Sequence, residues 1–533
     1  MLLISINTIA QAPNYLWAKG AGGTGSEYSR GVATDGSGNV LVTGSFTSPT
    51  ITFGTTTLNN AGSTNIFIVK YDASGTVLWA KSAGGTDNDF GFGVATDGSG
   101  NVLVTGWFRS PTITFGTTTL TNAGLGNMFI VKYDASGTVL WAKSAGGTDN
   151  DYGRGVATDG SGNVLVTGQF SSPTITFGTT TLTTLGNYVM FVAKYDASGT
   201  VLWAKGAGGT GDNFGNGVAT DGSGNVLVTG GFTSPTITFG TTTLTNAGNV
   251  DMFVAKYDAS GTVLWAKGAG GTGDDFGYGV ATDGSGNVLV TGQFSSQIIT
   301  FGTTALNYAG GSDIFIVKYD ASGTVLWAKG AGGTDNDCGF GVATDGSGNV
   351  LVTGQFSSPT ITFGTTTLNN AGSTNIFIVK YDASGTVLWA KGAGGLWYDY
   401  GFGVATDGSG NVLVIGYFSS PTITFGTTTL TNAGNYDMFV AKLSAINGIE
   451  SVENSTGISV YPNPATTLLN IHHSTSTSPE TLLITDLLGT VVYKENLCGI
   501  DNTISISTWS AGIYFYEVRS EKESTRGKFV VQK

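Results

Sequence analysis

The stretch Asp35–Gly44, DGSGNVLVTG, decides the fold. It recurs unchanged from Asp97, Asp159, Asp221, Asp283 and Asp345, and once more from Asp407 with Ile415 in place of Thr, always at a stride of 62 residues. Asp-x-Ser-Gly between β-rich runs is a turn with a mechanism: the Asp side chain accepts a backbone N–H two residues on, and the Gly takes the positive φ of a type I turn with a bulge. The second such turn, Asp72–Gly75, lies within FIVKYDASGTVLWAK. Each unit therefore supplies four strands: A (residues 31–35 of the first unit), B (39–44), C (67–71) and D (76–81). Between B and C, TITFGTTTL (50–58) predicts a short extra hairpin with Gly54 at its first central position.

Trp17, Trp79, Trp141, Trp203, Trp265, Trp327 and Trp389 keep the same stride. A Trp at one position of every unit reads as packing between neighbouring sheets. Seven four-stranded sheets predict an all-β, seven-bladed propeller over 13–448, in which neighbouring blades hide each other's faces. A solenoid is the alternative, but it needs distinct caps at both ends. Here the array starts on a lone D strand, Leu16–Lys19, and stops after a C strand, Phe439–Lys442. Pairing the two completes a seventh sheet, closes the ring and removes two open edges.

The phrases GVATDGSGNVLVTG and FIVKYDASGTVLWAKGAGG resemble the seven-bladed β-propeller (SBBP) repeat family and, more loosely, NHL-type propellers. The resemblance implies a propeller and no particular ligand, because the family is functionally mixed. After residue 450 the composition changes: 449–457 is a polar linker, and short alternating runs over 458–533 predict a small β-sandwich. The pieces Tyr461-Pro462-Asn463-Pro464, Asp486–Gly489, Gly512 and Tyr514 within SAGIY, and the terminal GKFVVQK resemble the type A C-terminal sorting domain of type IX secretion. That resemblance implies export by a signal peptide, passage through the outer membrane by the type IX machinery as partner, and release or surface attachment. Leu2–Ile9 followed by Ala-Gln-Ala at 10–12 fits a secretory signal peptide with a truncated start over 1–12.

The net charge of −13 disfavours a nucleic-acid partner. No apolar run is long enough for a transmembrane helix. Cys338 and Cys498 imply no disulfide framework. Both histidines, His472 and His473, lie outside the repeats, so the array has no Ser-His-Asp chemistry and no His-ligated zinc. Cys338 stands where other units have Phe or Tyr and reads as a small apolar replacement. No cofactor is expected. Asp87/Asp89, Asp149/Asp151 and Asp335/Asp337 are weak candidates for Ca²⁺, set against a reading as solvated loop carboxylates.

Against near-identical units, two positions vary. One precedes the glycine of strand A: Arg30, Phe92, Arg154, Asn216, Tyr278, Phe340, Phe402. The other follows the glycine of strand B: Ser45, Trp107, Gln169, Gly231, Gln293, Gln355, Tyr417. Counting back from the turn pairs residue 30 with 44 and 29 with 45, so the variable positions are neighbours. Tolerance of Gly, Gln and Trp at one site predicts that they face solvent, on a rim able to bind. Aromatic, amide and arginine side chains together suit a glycan or another extended polymer. The expected protein is a secreted or cell-surface, non-catalytic binding or adhesion module. The alternatives are a polysaccharide lyase or hydrolase and a structural spacer without a ligand.

Overall fold

In a computed structural model, residues 12–445 and 458–532 are described, apart from 462, 474–479, 488, 498 and 520–523. The signal-peptide reading (save Ala12), the linker, Pro462 and Cys498 lie outside the described residues. The chain divides into two compact units, 1–446 and 447–533.

In the first blade, strands A (Glu27–Thr34), B (Val40–Phe46), C (Asn65–Tyr71) and D (Val77–Ala83) form one antiparallel sheet in chain order. Five more blades follow with the same order. The seventh takes A, B and C from Asp399–Thr406, Val412–Phe418 and Asp437–Leu443, and its D strand is Tyr15–Ala21. Trp17 pairs with Lys442 and Ala21 with Met438, as Trp79 pairs with Lys70 in blade one. The ring is closed by the start of the array, as the sequence predicts.

Turn chemistry matches its reading. The Asp35 carbonyl accepts from the Gly38 N–H (2.9 Å), its carboxylate accepts from the Ser37 N–H (2.9 Å), and Gly38 takes φ +77. The extra hairpin pairs Thr50–Phe53 with Thr56–Asn59 around Gly54 at φ +57.

The VLV run of strand B is buried on both faces. Val40 and Val42 pack with Leu413 and Ile415 of the preceding blade, while Leu41 packs with Val102 and Val104 of the following one. Each blade boundary is thus a small core, which is why strands B and C are apolar without alternation.

Polar clasps cross the same boundaries. Lys70 of strand C is buried against Asp35 (2.9 Å), and its ammonium also reaches the Ala135 carbonyl in the next blade (3.3 Å). The Trp79 indole N–H donates to that same carbonyl (3.1 Å). The repeated tryptophans do pack between blades, six of them on a neighbour's Asp-Ala-Ser-Gly turn: a Cβ on Gly75 would sit 2.9 Å from the Trp17 ring. Lys442 and Trp17 carry the clasp across the closure to Ala73 (both 3.1 Å). The clasp is incomplete where blade six meets blade seven. The Trp389 indole N–H is buried without a partner there.

These lysines bear directly on stability. Burial pushes the Asp159 carboxyl up, but hydrogen bonds from Asn163 and Lys194 outweigh it and hold the group below the usual range. Lys194→Met leaves that carboxylate buried without its ion partner, and is expected to cost about 3–5 kcal/mol in thermal unfolding. An unchanged melting temperature would show the pair to be dispensable.

The C-terminal unit has a three-stranded sheet (Ile458–Tyr461, Leu468–His473, Asp501–Ser505) and a four-stranded one (Val491–Leu497, Glu480–Thr485, Gly512–Arg519, Ser524–Val531). Ile471, Leu482, Tyr516 and Phe529 share their core. Asn463 accepts from the Val530 N–H (2.9 Å), Asp486 and Gly489 close a turn (3.0 Å), and the Tyr514 hydroxyl donates to the Ser510 carbonyl (2.9 Å). Tyr461 is exposed, and Pro464 follows Asn463 in a cis peptide. The motif residues that are described thus serve turns and strand contacts. His472 meets Asp501 (2.7 Å).

Candidate functional site

The seven A strands surround the axis of the ring. At one end the Thr34 hydroxyl donates to the Thr406 carbonyl (2.7 Å), Thr96 to Thr34 (2.8 Å) and Thr158 to Thr96 (2.7 Å). Thr220, Thr282, Thr344 and Thr406 continue the series, each donating to the preceding blade. The circuit is cyclic, and only a closed seven-blade ring can complete it.

The other end carries the variable side chains, in a register the count from the turn does not give. Thr34–Val40 through Gly31–Thr43 pair as expected, but Ser29 then pairs with Gly44 and Tyr28 with Ser45. Arg30 is the extra residue of a β-bulge. The expected pairs 30–44 and 29–45 are therefore corrected to 29–44 and 28–45. The same bulge recurs at Phe92, Arg154, Asn216, Tyr278, Phe340 and Phe402. A bulge re-aims its extra side chain, and here the seven crowd one another around the axis. The Arg30 guanidinium lies 4.3 Å over the Phe402 ring, and Arg154 lies 5.0 Å over Phe92. Asn216 donates to the Gly277 carbonyl (2.9 Å). Tyr278 meets Phe340 (5.3 Å), and Phe340 stacks on Phe402 (4.7 Å). The glycine after the bulge is required by this closeness: a Cβ on Gly217 would lie 2.7 Å from the Tyr278 carbonyl oxygen.

The expectation of solvent-facing positions is corrected too. Trp107, Gln169 and Tyr417 are only 8%, 3% and 8% exposed, Ser45 is buried, and Gln293, Gln355 and the bulge residues are half-buried. The buried site tolerates Gly, Gln and Trp because its neighbours compensate in volume. Trp107 stacks on Phe90 (5.7 Å) and Tyr152 (5.3 Å) where residue 126 is Gly. Gly231 instead receives Phe276 and Val250. The residues two before each bulge (Tyr28, Phe90, Tyr152, Phe214, Phe276, Cys338, Tyr400) complete the mouth. Cys338 is buried and does more than fill space: its thiol donates to Gln293 Oε1 (2.6 Å), and burial pushes it up to about 12.

The mouth holds unsatisfied polar atoms: Trp107 Nε1, Arg154 Nε, Gln169 Oε1 and Gln355 Oε1 are buried without a hydrogen-bond partner. Burial bears against the charged form of Arg154, the Tyr152 phenol opposes this, and the charge of Arg30 adds to it. A guanidinium stays charged regardless.

The acidic loops behave differently from free ligating groups. Asp89 is buried, and its carboxylate accepts from the Gly85 and Ser110 N–H groups (2.8 and 3.2 Å) and from the Ser110 hydroxyl (2.7 Å). Asp151 and Asp337 repeat this. The solvated-loop reading is corrected for these three, which fasten the D–A loop to strand B. Asp87 faces Arg109 (3.5 Å), and Asp149 and Asp335 accept from Thr148 and Thr334. Among the described residues no three metal-ligating side chains cluster.

A further position was missed in the sequence. Where strand C begins, the units read Asn65, Asn127, Val189, Asp251, Asp313, Asn375 and Asp437. Asn375, with its amide oriented to satisfy both ends, accepts from the Ala371 N–H (2.8 Å) and donates to the Thr374 and Gly395 carbonyls (3.1 and 3.3 Å). Asp251 accepts from the equivalent Ala247 N–H (2.9 Å), and its other oxygen has no partner. Burial, followed by the nearby Asp275, raises this carboxyl to about 6. Asp313 behaves alike beside Asp337, and burial raises Asp437.

Comparison with known proteins supports both halves of this description. The β-propeller repeat model matches residues 140–169 and 264–293, and the secretion system C-terminal sorting domain model matches 459–532. An uncharacterized WD repeat-containing protein of Acanthamoeba polyphaga mimivirus is 28% identical over 532 aligned positions, covering 80% of this chain and 38% of that protein. The regulatory protein FlaEY of Caulobacter vibrioides is 32% identical over 141 positions, 25% of this chain and 14% of that one. The chain thus spans well under half of these relatives. Among solved structures, PorZ of the Porphyromonas gingivalis type IX system is similar at TM-score 0.23 and 11% identity, over 97% of this chain and 100% of that one. The extracellular domain of a putative hybrid two-component system of B. thetaiotaomicron gives 0.29 and 10%, over 95% and 68%.

Proposed function

We propose, from the premise of SBBP-type propeller repeats joined to a type IX sorting domain, that the chain is a non-catalytic recognition module for a glycan or similar extended polymer. The sorting domain marks the chain for export to the cell surface or beyond, and among the described residues no helix is long and apolar enough to cross a membrane. The binding surface in this reading is the bulge ring. The observation that carries it is chemical diversity at a geometrically constant position: one bulge, repeated seven times, presents two Arg, three Phe, a Tyr and an Asn around one axis. Aromatic faces stack on sugar rings, while amides and guanidinia bond hydroxyls. A spacer protein is the second reading, favoured by the sameness of everything else in the array.

The test is a glycan array probed with the full chain and with Phe92→Asn/Phe340→Asn/Phe402→Asn. Asn is a side chain this ring already accommodates at position 216. The expected result is binding by the parent that falls at least tenfold in the variant, with little change in melting temperature. Binding by neither protein to any polymer would favour the spacer. Cleaved products would point to a lyase or hydrolase.

A further inference from the structure

We propose that Arg30 and Arg154 together receive an anionic group, so that the polymer bound at the mouth is an acidic glycan. This rests on the recognition reading above and narrows it.

The two guanidinia carry ten N–H donors between them. No hydrogen bond or ion pair joins either one to a described residue, although Lys70, Lys132, Lys194, Lys256, Lys318, Lys380 and Lys442 each hold an Asp. Arg154 Nε is sealed from solvent with nothing to donate to. The arginines come from blades one and three, yet the charge of Arg30 bears on Arg154, so two like charges share one mouth. Both lie over aromatic rings: Arg154 over Phe92 and Tyr152 (5.0 and 5.1 Å), Arg30 over Phe402 and Tyr417 (4.3 and 5.4 Å). With no carboxylate or carbonyl of a described residue bonded to either fork, its N–H donors are left for a carboxylate or sulfate, which a guanidinium takes in two parallel bonds. An anion between them relieves the mutual repulsion and satisfies the orphaned donor.

The surroundings narrow the ligand further. Gln169 and Gln355 offer unpartnered acceptors and Trp107 an unpartnered donor, which suit hydroxyls. The loops near the mouth carry Asp149, Asp212 and Asp274, and the chain as a whole is at −13. That field acts against every further negative charge, so the site suits a short acidic oligosaccharide whose anionic group reaches the guanidinia.

The test uses the full chain and three polymer probes: polygalacturonate oligomers, the same oligomers with their carboxyls reduced to alcohols, and chondroitin sulfate. Three proteins are compared by calorimetry: parent, Arg30→Asn/Arg154→Asn, and the outer-strand control Lys205→Asn. Melting temperature reports folding. Expected is at least tenfold tighter binding of the acid oligomer than of its reduced form. The double variant should abolish that preference, so that it binds the acid and reduced oligomers within about twofold of each other. Lys205→Asn should behave as the parent. Preference for chondroitin sulfate over polygalacturonate would keep the anion site and assign it to sulfate. Equal affinity for acid and reduced oligomers overturns the anion site and leaves recognition standing. No binding of any probe, while a neutral glycan binds elsewhere on an array, also overturns it. No binding of anything sinks both.

Discussion

Deleting residues 1–21 is expected to leave a propeller that no longer unfolds as one unit, with a loss on the order of 5 kcal/mol or more. The segment Tyr15–Ala21 supplies the whole D strand of blade seven. Its loss bares the backbone edge of Asp437–Leu443, an invitation to pair with another chain. It also removes Trp17 from the face of Gly75 and its N–H from the Ala73 carbonyl. A Trp covers about 150–250 Å², and Trp17 is half-buried, so at about 25 cal/mol/Å² that one side chain accounts for roughly 2–3 kcal/mol. Reinserting the same strand after Leu443, joined by an Asp-Ala-Ser-Gly-Thr turn, should restore the ring. Thermal unfolding and size-exclusion chromatography read both variants. A truncated chain that melts like the parent and stays monomeric would refute closure.

Substituting Asn for Asp251, Asp313 and Asp437 together should stabilise the fold at pH 8, by about 2–3 kcal/mol at each of Asp251 and Asp313, with Asp437 acting in the same direction. The site is built for an amide, as Asn375 demonstrates, and three blades place a carboxyl in it. Asp251 and Asp313 rise from 3.8 to about 6, and every tenfold change in proton affinity corresponds to about 1.4 kcal/mol. The folded-state pKa lies above the unfolded one, so the neutral acid's stabilisation is complete below about pH 3.9. It is lost as pH rises through about 6. The parent should therefore lose stability between pH 4 and 7 more steeply than the triple variant. At pH 8 the variant should melt roughly 5–10 °C higher, and at pH 4 the two should converge. Parallel pH profiles would show that these carboxyls are not the titrating groups.

The architecture was legible because turns are local. Asp35 and Gly38 fix their hairpin whatever surrounds them, and seven copies at one stride fix the count. The ends of the array, a lone D strand and a terminal C strand, announced how the ring shuts. The mouth was less legible for two physical reasons. Counting from the turn presumes an unbroken ladder, and the bulge at Arg30 breaks it. The glycines on either side of Phe92 and Arg154 were the available sign, since glycine inside a strand marks a bulge or a close approach. Exposure misled because it was judged blade by blade. Trp107 would be open to water in one sheet alone, and seven converging sheets bury it. The lysine in FIVKY was also visible, but its partners, Asp35 and Ala135 for Lys70, lie far away in the chain. The Asn/Asp variation before it was visible too, but its partners are backbone groups such as the Ala371 N–H, which no side-chain pattern shows.

The incomplete clasp between blades six and seven gives the ring a preferred place to tear. At the junction of blades six and seven, Trp389 is 3% exposed with its N–H unanswered. The Lys380 side chain there is 10% exposed, against 3–4% for its six counterparts. Under tension the ring would open at this joint first, and the six sound joints would give way after it.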